Sequence, residues 1–258
     1  MSNEQLKPEH ERSTGARPTG VTTEDGAATD IQEMFDTIAP TYDRANHLLS
    51  VGIDHSWWTR TARLFEPVLQ HPETVTLDLC CGTGDMTMAL LKHRPATPNA
   101  APILAIDFSH QMLSLGQKKF ADQNIIPIEA DALHLPLGDG SVDLATSAFG
   151  FRNLANYEEG LAEILRVLRP GGQVGILECN QPEGLTGAIY NIYFKSILPR
   201  LGGMISGNAR AYSYLNESVY RFPRPSRMIE LLRKSGFNNP TWTSYTFGAV
   251  GLYHATKP

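Results

Sequence analysis

The sequence predicts an α/β fold built on a mainly parallel sheet, with helices on both faces and an antiparallel hairpin at its C-terminal end. Three observations carry that expectation. Short apolar runs at 75–79, 103–108, 125–128, 142–149 and 174–177 have the length and unbroken hydrophobicity of strands buried on both faces. Between them lie segments with apolar residues at helical spacing, such as Leu161, Ile164, Leu165 and Leu168, and strands alternating with helices make parallel crossovers. Near the C terminus only Gly248 and Ala249 join the runs 242–247 and 250–255. That connection is too short for a crossover and suits a hairpin.

Taken in order, residues 1–28 are rich in Glu, Thr, Gly and Pro and nearly free of large apolar side chains. Ordering them costs backbone entropy with little burial in return, which predicts a disordered tail. Residues 29–258 are expected to form one domain. It opens with a helical cap over about 30–66: Ile31, Met34, Phe35 and Ile38 recur at helical spacing, with Asp30 as N-cap and Pro40 as the stop, and Trp57, Trp58, Ala62, Leu64 and Phe65 mark a second helix ending before Pro67. A further apolar helical insertion is expected over about 183–222, where Leu185, Ala188, Ile189, Ile192, Tyr193, Ile197 and Leu201 share helical spacing.

Composition narrows the function. The chain has 258 residues and 41% hydrophobic content, enough for one ordinary core. A net charge of -5 without a run of Lys and Arg argues against nucleic acid as a partner. Three cysteines, two of them adjacent at Cys80 and Cys81, supply neither a disulfide framework nor spaced metal-binding pairs, so a reducing cytoplasm is the expected location. The eight histidines show no metal-ligand spacing. No window approaches the roughly 18 apolar residues of a membrane span, so any membrane association is expected to be peripheral.

The chemistry-bearing motif is the run 77–85, Leu-Asp-Leu-Cys-Cys-Gly-Thr-Gly-Asp, which ends one strand and opens a helix. Glycines there let a ligand approach the main chain. The next strand ends at Asp107, where an acid meets the hydroxyl pair of a ribose in nucleotide-binding βαβ units. The alternative is structural, with Gly82 and Gly84 shaping a tight turn and Asp107 capping a helix. Thr87 occupies the position of a third glycine, which weighs against a pyrophosphate and hence against NAD or FAD. Asp78 and Asp85 suit a cationic ligand end instead, such as the ammonium and sulfonium of S-adenosylmethionine. The third strand leads to Asp131 and Ala132, placed to hold an adenine or to shape a turn.

Together with Leu168-Arg169-Pro170-Gly171-Gly172, these residues resemble class I methyltransferases, a Rossmann-like fold on a seven-stranded sheet. The segments FDTIAPTYDRAN at 35–46, LLSVGID at 48–54, FGFRN at 149–153 and LPRLG at 198–202 are similar to the ubiquinone and menaquinone biosynthesis C-methyltransferases, over the chain from about Ile31 onward. The resemblance implies S-adenosylmethionine as cofactor, with Thr83, Asp107, Asp131 and Ala132 at contact positions. It implies a prenylated demethylquinol as substrate. Some relatives carry Ser where Ala148 stands and Asn where Asp131 stands, so Ala148 is not carried over as a ligand.

A quinol ring carbon turns nucleophilic when a neighbouring hydroxyl loses its proton, and it then attacks the sulfonium methyl in line. Arg152 is the candidate for stabilising the phenolate; its structural alternative is an ion pair with Asp43 or Glu158. Tyr42 is the candidate for assisting deprotonation, though a phenol near pKa 10 needs a shifted environment or a water for that. Phe149 and Phe151 either approach the sulfonium or pack in the core. The 183–222 insertion either walls a tunnel for the prenyl tail and touches the bilayer, or packs on the sheet. A methyltransferase for another small molecule, a silent S-adenosylmethionine-binding scaffold of a quinone-making complex, and a homo-oligomer remain open.

Overall fold

Residues 15–50, 52–182 and 209–258 are described by the computed structural model, and the expected apolar helix around Ile189 and Tyr193 lies outside them. Seven strands form one sheet in the order β3-β2-β1-β4-β5-β7-β6. They are β1 (Thr76–Leu79), β2 (Ile103–Asp107), β3 (Ile125–Glu129), β4 (Val142–Ala148), β5 (Leu168–Cys179), β6 (Asn238–Tyr245) and β7 (Val250–Thr256). The first five run parallel, and β7 inserts antiparallel between β5 and β6. The expected hairpin is therefore present, and its turn comes back to the end of the sheet where β1, β2 and β4 finish.

Alternating side chains of the central strands feed two cores. Leu77, Ala145, Val174 and Ile176 pack with α6 (Tyr157–Val167) and α8 (Pro225–Lys234) on one face. Ala105, Leu144, Leu177 and Leu252 pack on the other with α2 (Asp54–Leu64), α3 (Glu66–Leu69), α4 (Asp85–Leu91) and α5 (His110–Phe120). Full burial on both faces is the reason these strands read as unbroken apolar runs.

The N-terminal cap departs from expectation in two ways. Helix α1 spans Glu24–Leu49 and runs through Pro40 without stopping. Pro40 forfeits one backbone hydrogen bond, but Ile31 and Met34 are buried against Tyr214 and Val219 of α7 (Ala209–Arg221), and packing of this kind outweighs local propensity. Nor is residue 28 the edge of the packed chain. Ala16 is buried and its N–H donates to the Leu154 carbonyl at 2.8 Å, while Arg17 donates to the carbonyl of Ala155 at 2.6 Å and to Glu24 at 3.0 Å. A small apolar residue and one arginine dock a stretch whose composition alone predicts disorder.

Candidate active site

Strand β1 sends its crossover to β2 on one side, while β4 pairs on its other side. The connections therefore diverge at the C-terminal ends of β1 and β4 and leave a crevice there. A cleft of about 1060 Å³, counted out to its mouth, occupies this place. Its floor carries stored strain. Cys80 (φ 54°) and Phe149 (φ 59°), immediately beyond β1 and β4, both adopt left-handed backbone that L residues rarely take. The two turns press together, since a Cβ at Gly150 would lie 2.3 Å from that of Cys80.

The glycine loop meets the expectation of a bare main chain. Gly82 has φ 56°, and a Cβ built there meets nothing within 4 Å, whereas one at Gly84 would strike Phe120 at 2.2 Å. Gly82 thus leaves room on the cleft side, and Gly84 allows α5 to close in behind. Asp107 joins the two strand ends: its carboxylate accepts from the Gly82 N–H at 2.8 Å and the Ser109 N–H at 2.9 Å. Burial pushes its pKa up to about 6 despite those bonds. Ile106, Met112, Ala132 and Leu133 form an apolar wall beside it, and Asp131 stands exposed at the rim, accepting from the Leu133 N–H at 2.9 Å.

The other acids are already engaged. Asp78 lines the cleft, but its carboxylate accepts from Thr87 at 2.6 Å and Thr146 at 3.0 Å. Burial raises its pKa to about 7. Thr87, read from sequence only as the absent third glycine, is therefore the partner that holds Asp78. Asp85 pairs with Lys119 at 2.7 Å, and the same ammonium reaches Asp43 at 2.9 Å and Thr83 at 3.0 Å. Asp85, read from sequence as suiting a cationic ligand end, lines the cleft and is paired with Lys119 in this structure.

Helix α1 roofs the cleft. Ala28, Phe35, Tyr42 and Asn46 face inward along one side of it, at spacings that a helix stacks on one stripe. Polar ties hold it down: Gln32 donates to the Phe108 carbonyl at 2.7 Å, Ser109 donates to Asp36 at 2.5 Å, and Thr83 donates to Asp43 at 2.5 Å. Burial pushes the Tyr42 phenol up to about 12, with the nearby Arg152 charge and an Asn46 hydrogen bond pulling the other way. Burial thus favours the neutral phenol, which suits Tyr42 to donate a hydrogen bond into the cleft.

Arg152 does not pair with Asp43 or Glu158. It is buried behind the Phe149 turn in an ion pair with Glu178 at 2.9 Å, and its guanidinium also donates to the Phe149 carbonyl. Glu178 further accepts the Arg152 N–H at 3.0 Å. The buried Nε of Arg152 has no hydrogen-bond partner among the described residues. Glu178 was missed from sequence, although one carboxylate inside the apolar run 174–179 signals a buried partner. The two phenylalanines separate: Phe149 lines the cleft, with Trp57 at 5.7 Å, while Phe151 is fully buried and stacks on Tyr157.

A bare glycine loop, an acid at the end of β2 and an apolar wall after β3, set at the switch point of this seven-stranded sheet, define a class I S-adenosylmethionine-dependent methyltransferase. A solved S-adenosylmethionine-dependent methyltransferase from Thermotoga maritima, titled a possible histamine N-methyltransferase, shares the fold at TM-score 0.61 and 18% identity, covering 88% of this chain and 99% of that one. The chain belongs to the ubiE/COQ5 methyltransferase family, whose model matches residues 22–257. It is 45% identical over 230 residues to a demethylmenaquinone methyltransferase of Deinococcus radiodurans, covering 88% of this chain and 92% of the relative. A demethylmenaquinone methyltransferase of Thermus thermophilus is 41% identical over 87% of this chain and the whole of the relative. S-adenosylmethionine is the cofactor of this enzyme, and the open space at Gly82 and the acceptor atoms of Asp107 suit it.

Proposed function

We propose that this enzyme methylates a ring carbon of a prenylated quinol, converting demethylmenaquinol to menaquinol. The observation that carries the reading is the near full-length similarity to relatives named for that substrate. Asp107 would accept from the ribose hydroxyls, Asp131 and Ala132 would hold the adenine, and Gly82, Thr83 and Gly84 would meet the methionine end with Asp78 beneath them. When bound, S-adenosylmethionine supplies an electrophilic methyl group.

The remaining work falls to the chain. Tyr42 and Asn46 from the roof, with Asn153 from the loop after β4, place a phenol and two amides in a cleft also lined by Phe35, Trp58, Phe149 and Leu154. This wall fits a flat ring carrying two oxygens. The quinol hydroxyl gives its proton to solvent at the cleft mouth, Tyr42 donates a hydrogen bond to the oxygen as it becomes anionic, and the Arg152 charge stabilises that anion from behind the loop. Once the ring carbon has taken the methyl group, it loses its own proton to solvent and the ring regains aromaticity. Roof and floor exclude water from the reacting carbon. The enzyme works from the cytoplasm and meets its prenylated substrate at the membrane surface without spanning it.

The test is a comparison of acceptors with S-adenosylmethionine fixed. Reduced demethylmenaquinol should turn over at least tenfold faster than the demethylated ubiquinol precursor. The reverse order would move the assignment to the benzoquinol, and failure with both would remove quinols as substrates.

A further inference from the structure

Helix α2 is apolar on two sides, and among the described residues one of them is fully covered and the other only in part. Trp58, Thr61, Ala62 and the following Phe65 are buried in the core. Ile53, Trp57, Arg60 and Leu64 form a second stripe at helical spacing, and Ile53 and Leu64 are each 44% exposed. The turn between β6 and β7 lies against this stripe. Trp57 Nε1 donates to Thr246 Oγ1 at 2.7 Å, and the Arg60 guanidinium sits 4.1 Å from the centre of the Tyr245 ring.

At the tip of that turn Phe247 is 86% exposed, with φ 55° beside Thr246 at φ 44°. Two consecutive non-glycine residues in left-handed backbone hold an aromatic ring out in water. Thr246 is tied to Trp57, whereas the Phe247 ring is left to solvent. Charge around it is of one sign on the exposed helix: Arg60 and Arg63 are exposed, whereas Asp54, the sole acid of α2, is buried and bonded to His47 at 2.7 Å. The patch also adjoins the cleft, because Trp57 packs beside Phe149, which lines it.

We propose that the β6–β7 turn and the outer stripe of α2 form a docking surface for an anionic lipid bilayer, with Phe247 inserted among the acyl chains and Arg60 and Arg63 at the headgroups. An exposed aromatic beside two cations fits an interfacial contact, in which apolar insertion and headgroup attraction add. The inference rests on the prenylated-quinol reading for its purpose: docking here would bring the cleft to the surface from which a prenylated ring emerges.

The experiment is flotation of the full chain with phosphatidylglycerol-containing and pure phosphatidylcholine vesicles, without quinol or cofactor. Phe247→Asn keeps a residue that tolerates positive φ, so folding is not put at risk. It should weaken binding to anionic vesicles by roughly tenfold or more, and Arg60→Gln and Arg63→Gln by roughly fivefold each. Ile126→Ser, which removes a 46% exposed apolar side chain from edge strand β3, should bind as the parent does. Methyl transfer to a tail-less soluble acceptor should stay unchanged in Phe247→Asn. Unaltered vesicle binding by Phe247→Asn would overturn the proposal, as would loss of a concentration-dependent dimer in that variant with vesicle binding intact, which would assign the patch to a second copy of the chain. Vesicle binding that depends on Phe247 without any quinol methylation would sustain the docking surface and contradict the substrate.

Discussion

At Asp107 one carboxylate is asked to bind two backbone amides and, in the proposed complex, two ribose hydroxyls, and its elevated pKa of about 6 makes that task pH dependent. If only the ionised form accepts from the ribose, cofactor affinity should fall about tenfold between pH 7 and pH 5. The fold itself moves the other way. A carboxylate raised from 3.8 to about 6 binds its proton more tightly in the folded chain, so through this group stability rises as pH falls across that window. Calorimetric titration alongside thermal melts separates the two, and pH-independent affinity would contradict the ribose role. Arg152 calls for the opposite caution. Removing it strands Glu178 fully buried and unpaired, so Arg152→Ala should lose about 3–5 kcal/mol of stability. Glu178→Gln should keep more of the fold, since it retains an amide in the same space. A melt of Arg152→Ala matching the parent would contradict the ion pair. Position by position, Asp107 and Gly82 were legible because strand, glycine turn, helix, strand and acid follow in fixed order. The partner of Arg152 was not, because it stands 26 residues away on a neighbouring strand and no local spacing connects them.

Among the elements, α1 shows how far tertiary packing can override local signals. Pro40 reads as a stop, and the helix continues for nine residues to Leu49, because its inner face roofs the cleft and the adjoining flank buries Ile31 and Met34. The roof is held by few polar ties, several of them partly exposed. Lys119 is 30% exposed where it meets Asp43 and Asp85, and pairs of that kind contribute little each. If cofactor release requires α1 to lift, ties of this kind set its rate. Lys119→Ala should therefore leave the melting temperature nearly unchanged while speeding cofactor release by about fivefold, the effect of roughly 1 kcal/mol at one tie. Stopped-flow displacement would measure it. An unchanged release rate would mean that cofactor leaves without α1 moving. The tie itself was invisible in the sequence, since Asp43, Thr83, Asp85 and Lys119 come from three separate helices and one loop.

Across the whole molecule, strand periodicity and the C-terminal hairpin were enough to foresee the sheet, because burial on both faces leaves a pattern that local residues carry themselves. The site follows from that topology. Divergent crossovers at β1 and β4 open the crevice, strained turns at Cys80 and Phe149 floor it, and the N-terminal helix closes it. What the sheet does not decide is which atom receives the methyl group, since that depends on the few groups in the roof and on the loop after β4. The central claim is carbon methylation of a reduced ring, and a single-turnover reaction with methyl-labelled S-adenosylmethionine tests it directly. With reduced demethylmenaquinol, mass spectrometry and carbon NMR should find the label on a ring carbon, with no product from the oxidised quinone, which lacks the ionisable hydroxyl. Label on a quinol oxygen, or equal transfer to the oxidised ring, would contradict the account.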